Sequence, residues 1–346
     1  MASSARNGAI GMHLVDISDV NALKSVPTRN GFGEGLIEAG KSNRNVIGIC
    51  ADLAESTRME GFKKACPDQY IAIGVAEQLL VAMAAGLASA GKIPFIASYA
   101  MFNPGRSWEQ VRTTMALNET NVKIAGAHAG VSVGPDGATH QAIEDIAIMR
   151  VLPHMIVVVP CDSAQTKKAT LAVAQKWGPT YLRFAREKSP VITTEETPFE
   201  IGKAQTFRTG SDVAIIACGI LVYNALVAAQ ELAGDGIECT VINNHTVKPM
   251  DEHAVIEAAK LCGTVVTVEE HQQHGGMGSR VAEILAQHHP VPIEFVGVRD
   301  QFGQSGDPGE LIEHYGMGTS AIKTAVRRAL RRKPGSHALA EPNTAE

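Results

Sequence analysis

The chain has 346 residues, more than one small domain holds, so two units of roughly 150 residues are expected. Hydrophobic residues make up 45% but aromatics only 5%, a balance of small and β-branched side chains suited to closely packed α/β layers. The net charge of −5 argues against bulk nucleic-acid binding, and six widely spaced cysteines without a CxxC pair argue against a disulfide framework or zinc site.

Met1 to Gly11 lack the apolar core of a secretory signal, and the apolar run 79–90 is too short to span a bilayer. A soluble, cytoplasmic protein without membrane attachment is the expectation. Short β-branched runs then alternate with helical periodicity, the pattern of parallel sheets with crossover helices. In the first half this predicts helices at 28–41, 77–90, 106–117, 140–151 and 163–175. Strands are expected at 46–50, 70–75, 94–98, 122–127, 155–159 and 180–184. Asp162 precedes the last helix as a plausible cap.

Glu77 stands between an apolar strand run and a long apolar helix, and the next twenty residues offer one base, Lys92. Such a carboxylate either favours the positive end of a helix dipole or is held buried to bond a ligand nitrogen. Position alone leaves both readings open. Tyr99 and Phe102 follow the 94–98 strand, where aromatics either plug core or stack on a flat heterocycle. The Gly-rich loop 129–140 follows another strand end, bracketed by His128 and His140. Ligands of open parallel sheets bind beyond carboxyl ends of strands, and histidines there can exchange protons near neutral pH.

Residues 193–208 carry Thr, Glu and Pro without clear periodicity and read as a linker. A second unit follows, with strands at 212–218, 238–242, 264–269 and 293–298. Its helices fall at 221–233, 251–261, 277–287 and 308–330, the last broken near Gly316. Gly234-Asp235-Gly236 reads as a tight turn. His271-Gln272-Gln273-His274 has ligand-like spacing, but Gly275-Gly276 would break a single-helix metal face, so an interface loop is preferred. Residues 331–346, rich in Lys, Arg, Pro and Ala, read as a flexible tail.

Taken in order, residues 14–330 resemble the C-terminal half of transketolase, a thiamine diphosphate enzyme. That implies an α/β fold of two mainly parallel sheets flanked by helices, a pyrimidine-binding domain over 14–192 and a transketolase C-terminal domain over 209–330. Ile73-Gly74-Val75-Ala76-Glu77-Gln78 is similar to the segment whose glutamate contacts the aminopyrimidine ring. Gly134-Pro135-Asp136-Gly137-Ala138-Thr139-His140-Gln141 looks like the sugar-contacting loop. Thr28-Arg29, Ala51-Asp52-Leu53-Ala54-Glu55-Ser56 and Phe184-Ala185-Arg186-Glu187 match further family segments.

The resemblance implies that Glu77 activates the cofactor, with Asp52, Tyr99 and Phe102 beside it. It further implies sugar contact and proton transfer at His140, hydroxyl recognition at Asp136, and a distal phosphate held by Arg29, Ser56, His128 and Arg186. No metal ligand is expected in this chain. The Gly-Asp-Gly that opens the family's metal–diphosphate motif needs an asparagine well downstream, and Asn243 and Asn244 follow too soon. Mg2+ or Ca2+ and the diphosphate are therefore expected on a separate N-terminal transketolase subunit, in an α2β2 heterotetramer that moves a ketol unit between sugar phosphates of the pentose phosphate pathway. Ala76-Glu77-Gln78 stands where many single-chain transketolases have Arg-Glu-His, and also resembles deoxyxylulose-phosphate synthase and 2-oxo acid dehydrogenase β subunits. Those reactions, a transketolase for an unusual sugar and a non-catalytic scaffold are the alternatives.

Overall fold

Strand runs that never alternate with polar residues need cover on both faces, and the chain supplies it with helices. A computed structural model describes residues 13–17 and 23–333. The first unit opens with β1 (Ser25–Pro27), α1 (Thr28–Ser42), β2 (Val46–Cys50), α2 (Met59–Ala65), β3 (Tyr70–Ala72) and α3 (Glu77–Ser89). It continues through β4 (Ile93–Tyr99), α4 (Trp108–Gln110) with a π-helical extension over Val111–Ala116, β5 (Lys123–Ala127) and α5 (Asp145–Arg150). β6 (Ile156–Val158), α6 (Ser163–Gln175), β7 (Thr180–Phe184) and β8 (Lys188–Pro190) complete it.

The second unit holds β9 (Gln205–Arg208), β10 (Val213–Ala217), α7 (Leu221–Gly234), β11 (Cys239–Asn243), β12 (Thr246–Lys248) and α8 (Glu252–Cys262). β13 (Val265–Gln272), α9 (Met277–His288), β14 (Ile293–Val298), α10 (Pro308–His314) and α11 (Thr319–Arg332) follow.

Two sheets result. The seven-stranded one runs β12-β6-β7-β5-β4-β2-β3, parallel except for β12, which the second unit lends to the β6 edge in antiparallel pairing. The five-stranded one runs β14-β13-β10-β11-β9, with only β9 antiparallel. Register aligns Tyr99 with Ala127 and Ala127 with Phe184, so the carboxyl ends of β4, β5 and β7 open on one edge. One core crosses the boundary between units, combining Ile124, Met149 and Val157 with Val255, Met277 and Val281.

Local chemistry explains the element ends. Asp162 caps α6 by accepting from the Gln165 N–H at 2.8 Å. Gly316, at φ 68°, separates α10 from α11, and Gly236, at φ 77°, turns the chain from α7 towards β11.

The structure adds α2, β1, β8 and β12, which the sequence pattern does not predict, and departs from the expected elements elsewhere. The strand expected over 70–75 stops at Ala72, and Gly74 turns at φ 71°. The helix expected from 140 starts at Asp145, because 131–136 winds into 3-10 turns around Gly134 (φ 80°) and Pro135. The 193–208 linker ends in β9, an edge strand on β11. The 271–274 segment begins inside β13, which runs to Gln272. Most of the expected tail, 334–346, lies outside the described residues.

Candidate active site

Residues just beyond β2, β4, β5 and β7 converge where a parallel sheet binds ligands. Glu77 is the first residue of α3, where a helix N-terminus favours a carboxylate, yet it is only 2% exposed. Its Oε1 accepts from Ser98 Oγ at 3.3 Å and its Oε2 from Arg106 Nη1 at 2.9 Å. The base that meets this carboxylate is thus Arg106, 29 residues on, and not Lys92, which bonds Asn45.

Arg106 lies over the Phe102 ring, 5.2 Å from its centroid. Phe102 stacks with Tyr99 at 6.2 Å and 24°. Tyr99 leans on His128 at 4.5 Å, and His140 stands edge-on to Tyr99 and Phe102 at 5.9 and 5.2 Å. The two aromatics are half-buried and form a wall rather than filling core. Thr139 Oγ1 lies 2.8 Å from His140 Nδ1 and orients that imidazole.

Beyond the wall lies a cationic corner. Arg29 Nη1 donates to the Ser56 carbonyl at 2.9 Å and lies 3.3 Å from His128 Nε2. His128 is buried and left-handed at φ 56°. Burial, with the Arg29 charge adding, pushes its pKa down to about 3, so it is neutral at physiological pH. Burial also lowers the Arg29 pKa, helped by repulsion from Arg58 and Arg186. Arg186 donates to the Val133 carbonyl at 3.3 Å and to Asp136 Oδ2 at 3.1 Å. Thr28 Oγ1 bonds both the N–H and the C=O of Ala185, pinning the start of α1 to the strand end that carries Arg186. Two buried polar atoms, Arg29 Nε and His128 Nδ1, have no partner. Converging arginines, one of them with an unsatisfied buried Nε–H, fit an anion.

Of the residues singled out from sequence, the structure gathers Glu77, Tyr99, Phe102, His128, His140, Arg29, Ser56, Asp136 and Arg186. Ser56 enters through its carbonyl rather than its hydroxyl. Asp52 stands exposed at the end of β2 at φ 60°, and among the described residues its side chain has no hydrogen bond to the others. Ser98 and Arg106 were missed. Their signal was positional: a serine closing the strand before the aromatic pair, and a base in the Asn103-Pro104-Gly105 turn after it.

Two family profiles match in tandem: the pyrimidine-binding domain of transketolase over residues 24–191 and the transketolase C-terminal domain over 202–322. The chain belongs to the transketolase family. A 6-deoxy-6-sulfo-D-fructose transketolase subunit from a Clostridium species is 40% identical over 88% of this chain and 95% of its own length. One subunit of an apulose-4-phosphate transketolase from Phocaeicola vulgatus is 37% identical, over 88% of this chain and 98% of its own. Among solved structures, a split-gene transketolase described as an inactive beta4 tetramer superposes with a TM-score of 0.84 at 42% identity, covering 89% of this chain and 99% of that one.

Membership of the transketolase family implies thiamine diphosphate, and the residues fit one end of it. A buried carboxylate beside a stacked aromatic pair suits a flat ring that presents nitrogen at its edge.

Proposed function

We propose that this chain is the pyrimidine-side, sugar-contacting subunit of a two-polypeptide transketolase that moves a two-carbon ketol unit between sugars with an anionic tail. One observation carries the reading. Glu77 and the Arg29–His128–Arg186 corner open on the same sheet edge, bridged by Tyr99, Phe102 and His140.

Thiamine diphosphate, when bound, supplies the nucleophilic carbon and the electron sink. Glu77 would bond a ring nitrogen of the aminopyrimidine, and Tyr99, Phe102 and Asp52 would hold that ring. His140 moves a proton at a substrate hydroxyl, and Asp136 accepts from a neighbouring one. Arg29, Arg186 and His128 fix the distal anion, with the Ser56 carbonyl orienting Arg29, and this sets the distance from tail to reacting carbon.

A separate N-terminal subunit would anchor the diphosphate and its Mg2+ or Ca2+, in an α2β2 assembly. Two relatives named as subunits and a solved split-gene relative described as an inactive beta4 tetramer support this division. So does the apolar surface flanking Glu77, where Val75 and Leu79 lie exposed.

The test is co-purification with that subunit, then assay with xylulose 5-phosphate and an aldose phosphate against pyruvate. Ketol transfer supports the proposal; pyruvate decarboxylation instead moves the chain to the deoxyxylulose-phosphate-synthase or 2-oxo acid dehydrogenase reading. A second reading keeps the reaction and changes the sugar. The names of the two relatives both carry an anionic substituent, sulfo or phosphate, and the cationic corner accepts either. A panel of sulfonated and branched-sugar donors separates them.

A further inference from the structure

Two consecutive acids, Glu269 and Glu270, lie buried in β13 where the units meet. Glu269 serves its own unit, accepting from the N–H groups of Met277 and Gly278 at 2.7 and 2.8 Å to cap α9. Glu270 reaches the other way. Its Oε1 accepts from the Ser132 backbone N–H at 2.6 Å, inside the loop that joins His128 to His140.

The loop is shaped to admit that carboxyl. Gly130 has φ 90°, and a β-carbon there would stand 2.2 Å from the Glu270 carboxyl carbon. Arg183 fixes the Glu270 backbone, donating from Nη2 to its carbonyl at 2.8 Å. The same guanidinium pairs with Asp145 at 2.7 Å, and Asp145 also accepts from the Tyr181 hydroxyl at 2.6 Å. The loop's far end is held as well: Gln141 Nε2 donates to the Gln304 carbonyl at 2.9 Å, and a β-carbon on Gly137 would meet Ser305 Oγ at 2.6 Å.

Between these grips lie Val133 and Asp136, whose carbonyl and carboxylate hold Arg186. We infer that Glu270 is a positioning residue of the second unit: by fixing Ser132 it aims Arg186, and so sets affinity for the anionic tail of the sugar. Without that anchor the Arg186 side chain would have to be ordered at the moment of binding, which weakens affinity and leaves the chemical step alone. The inference rests on the reading of this corner as a sugar-tail site.

The experiment uses the complex with the N-terminal subunit and the variants Glu270→Ala and Glu270→Gln. Glu270→Ala should raise KM for xylulose 5-phosphate roughly tenfold with kcat within about twofold, while KM for unphosphorylated xylulose, which lacks the tail contact to Arg186 but keeps the hydroxyl contact to Asp136, should rise by no more than about threefold. Glu270→Gln, whose amide oxygen still accepts from Ser132, should restore KM to within about twofold. A fall in kcat at constant KM, equal losses on both sugars, or a glutamine variant no better than alanine overturns the inference. If the alanine variant does not fold, Glu270→Asp, one methylene too short to reach Ser132, replaces it. Amide hydrogen exchange supplies an arm independent of substrate: exchange over 130–136 should accelerate roughly tenfold in the variant while β10 stays protected. Unchanged exchange overturns the inference whatever sugar is used. A wild-type complex that transfers no ketol unit instead defeats the functional reading, and the exchange arm still decides the clamp.

Discussion

Replacing Arg106 by alanine strips Glu77 of its charged partner and leaves a buried carboxylate with one bond, from Ser98 at 3.3 Å. A hydrogen bond to a charged group contributes about 1.5–3 kcal/mol, and breaking a fully buried ion pair costs about 3–5 kcal/mol. Pairs open to solvent contribute only about 0–1 kcal/mol. This pair is lopsided: Glu77 is 2% exposed, but 54% of the Arg106 side chain is in solvent. Water therefore competes for the guanidinium and not for the carboxylate, which places the coupling at about 1–2 kcal/mol. The assay is a double-mutant cycle of Arg106→Ala with Glu77→Gln, read by urea unfolding of the isolated chain. A coupling below about 0.5 kcal/mol would refute the claim that Arg106 secures the carboxylate. In the reconstituted enzyme Glu77→Gln and Glu77→Ala should both abolish turnover, and near-normal rates would remove Glu77 from its proposed role.

Arg186→Ala should raise KM for phosphorylated donors at least about tenfold while kcat changes little, since a charge-assisted bond to the tail is lost; an unchanged KM removes it from the corner. Asp145→Asn strands the buried Arg183 guanidinium and should cost about 3–5 kcal/mol in urea unfolding, whereas a loss below about 1 kcal/mol would show that pair to be dispensable. His128 is held neutral with a pKa of about 3 against 6.5 for a free imidazole, so it takes up a proton on unfolding between about pH 3 and 6.5. Stability should accordingly decline as pH falls from 6.5 towards 3, and His128→Asn should flatten that decline; an equal slope in both proteins refutes it. Leu79→Lys, on the exposed face beside Glu77, should leave the isolated chain folded but prevent co-elution with the N-terminal subunit.

Much of this was legible because parallel α/β units write their rhythm locally. Unbroken apolar strands such as Val46–Cys50, the Asp162 cap and the Gly316 break each follow from neighbours in sequence. The site was legible at strand ends, where Glu77, Tyr99, His128 and Arg186 occur beside turn residues. What escaped depends on distant partners. Arg106 meets Glu77 only after the chain has returned along β4, and the Glu270–Ser132 bond spans 138 residues. The start of α5 was misplaced because helical periodicity after His140 gives no sign that Gln141 is engaged by the second unit. β9 and β12 are four and three residues long and pair antiparallel at sheet edges, too short to show a period.

The placement of β12 bears on how the protein can be taken apart. Since Thr246–Lys248 seals the β6 border of the other unit's sheet, a truncation after β8 would not liberate a self-sufficient fragment. It would bare a row of backbone donors and acceptors on Ile156–Val158, an invitation to pair with a neighbouring molecule. Dissection experiments therefore need both halves, or a short peptide spanning Thr246–Lys248 supplied in trans.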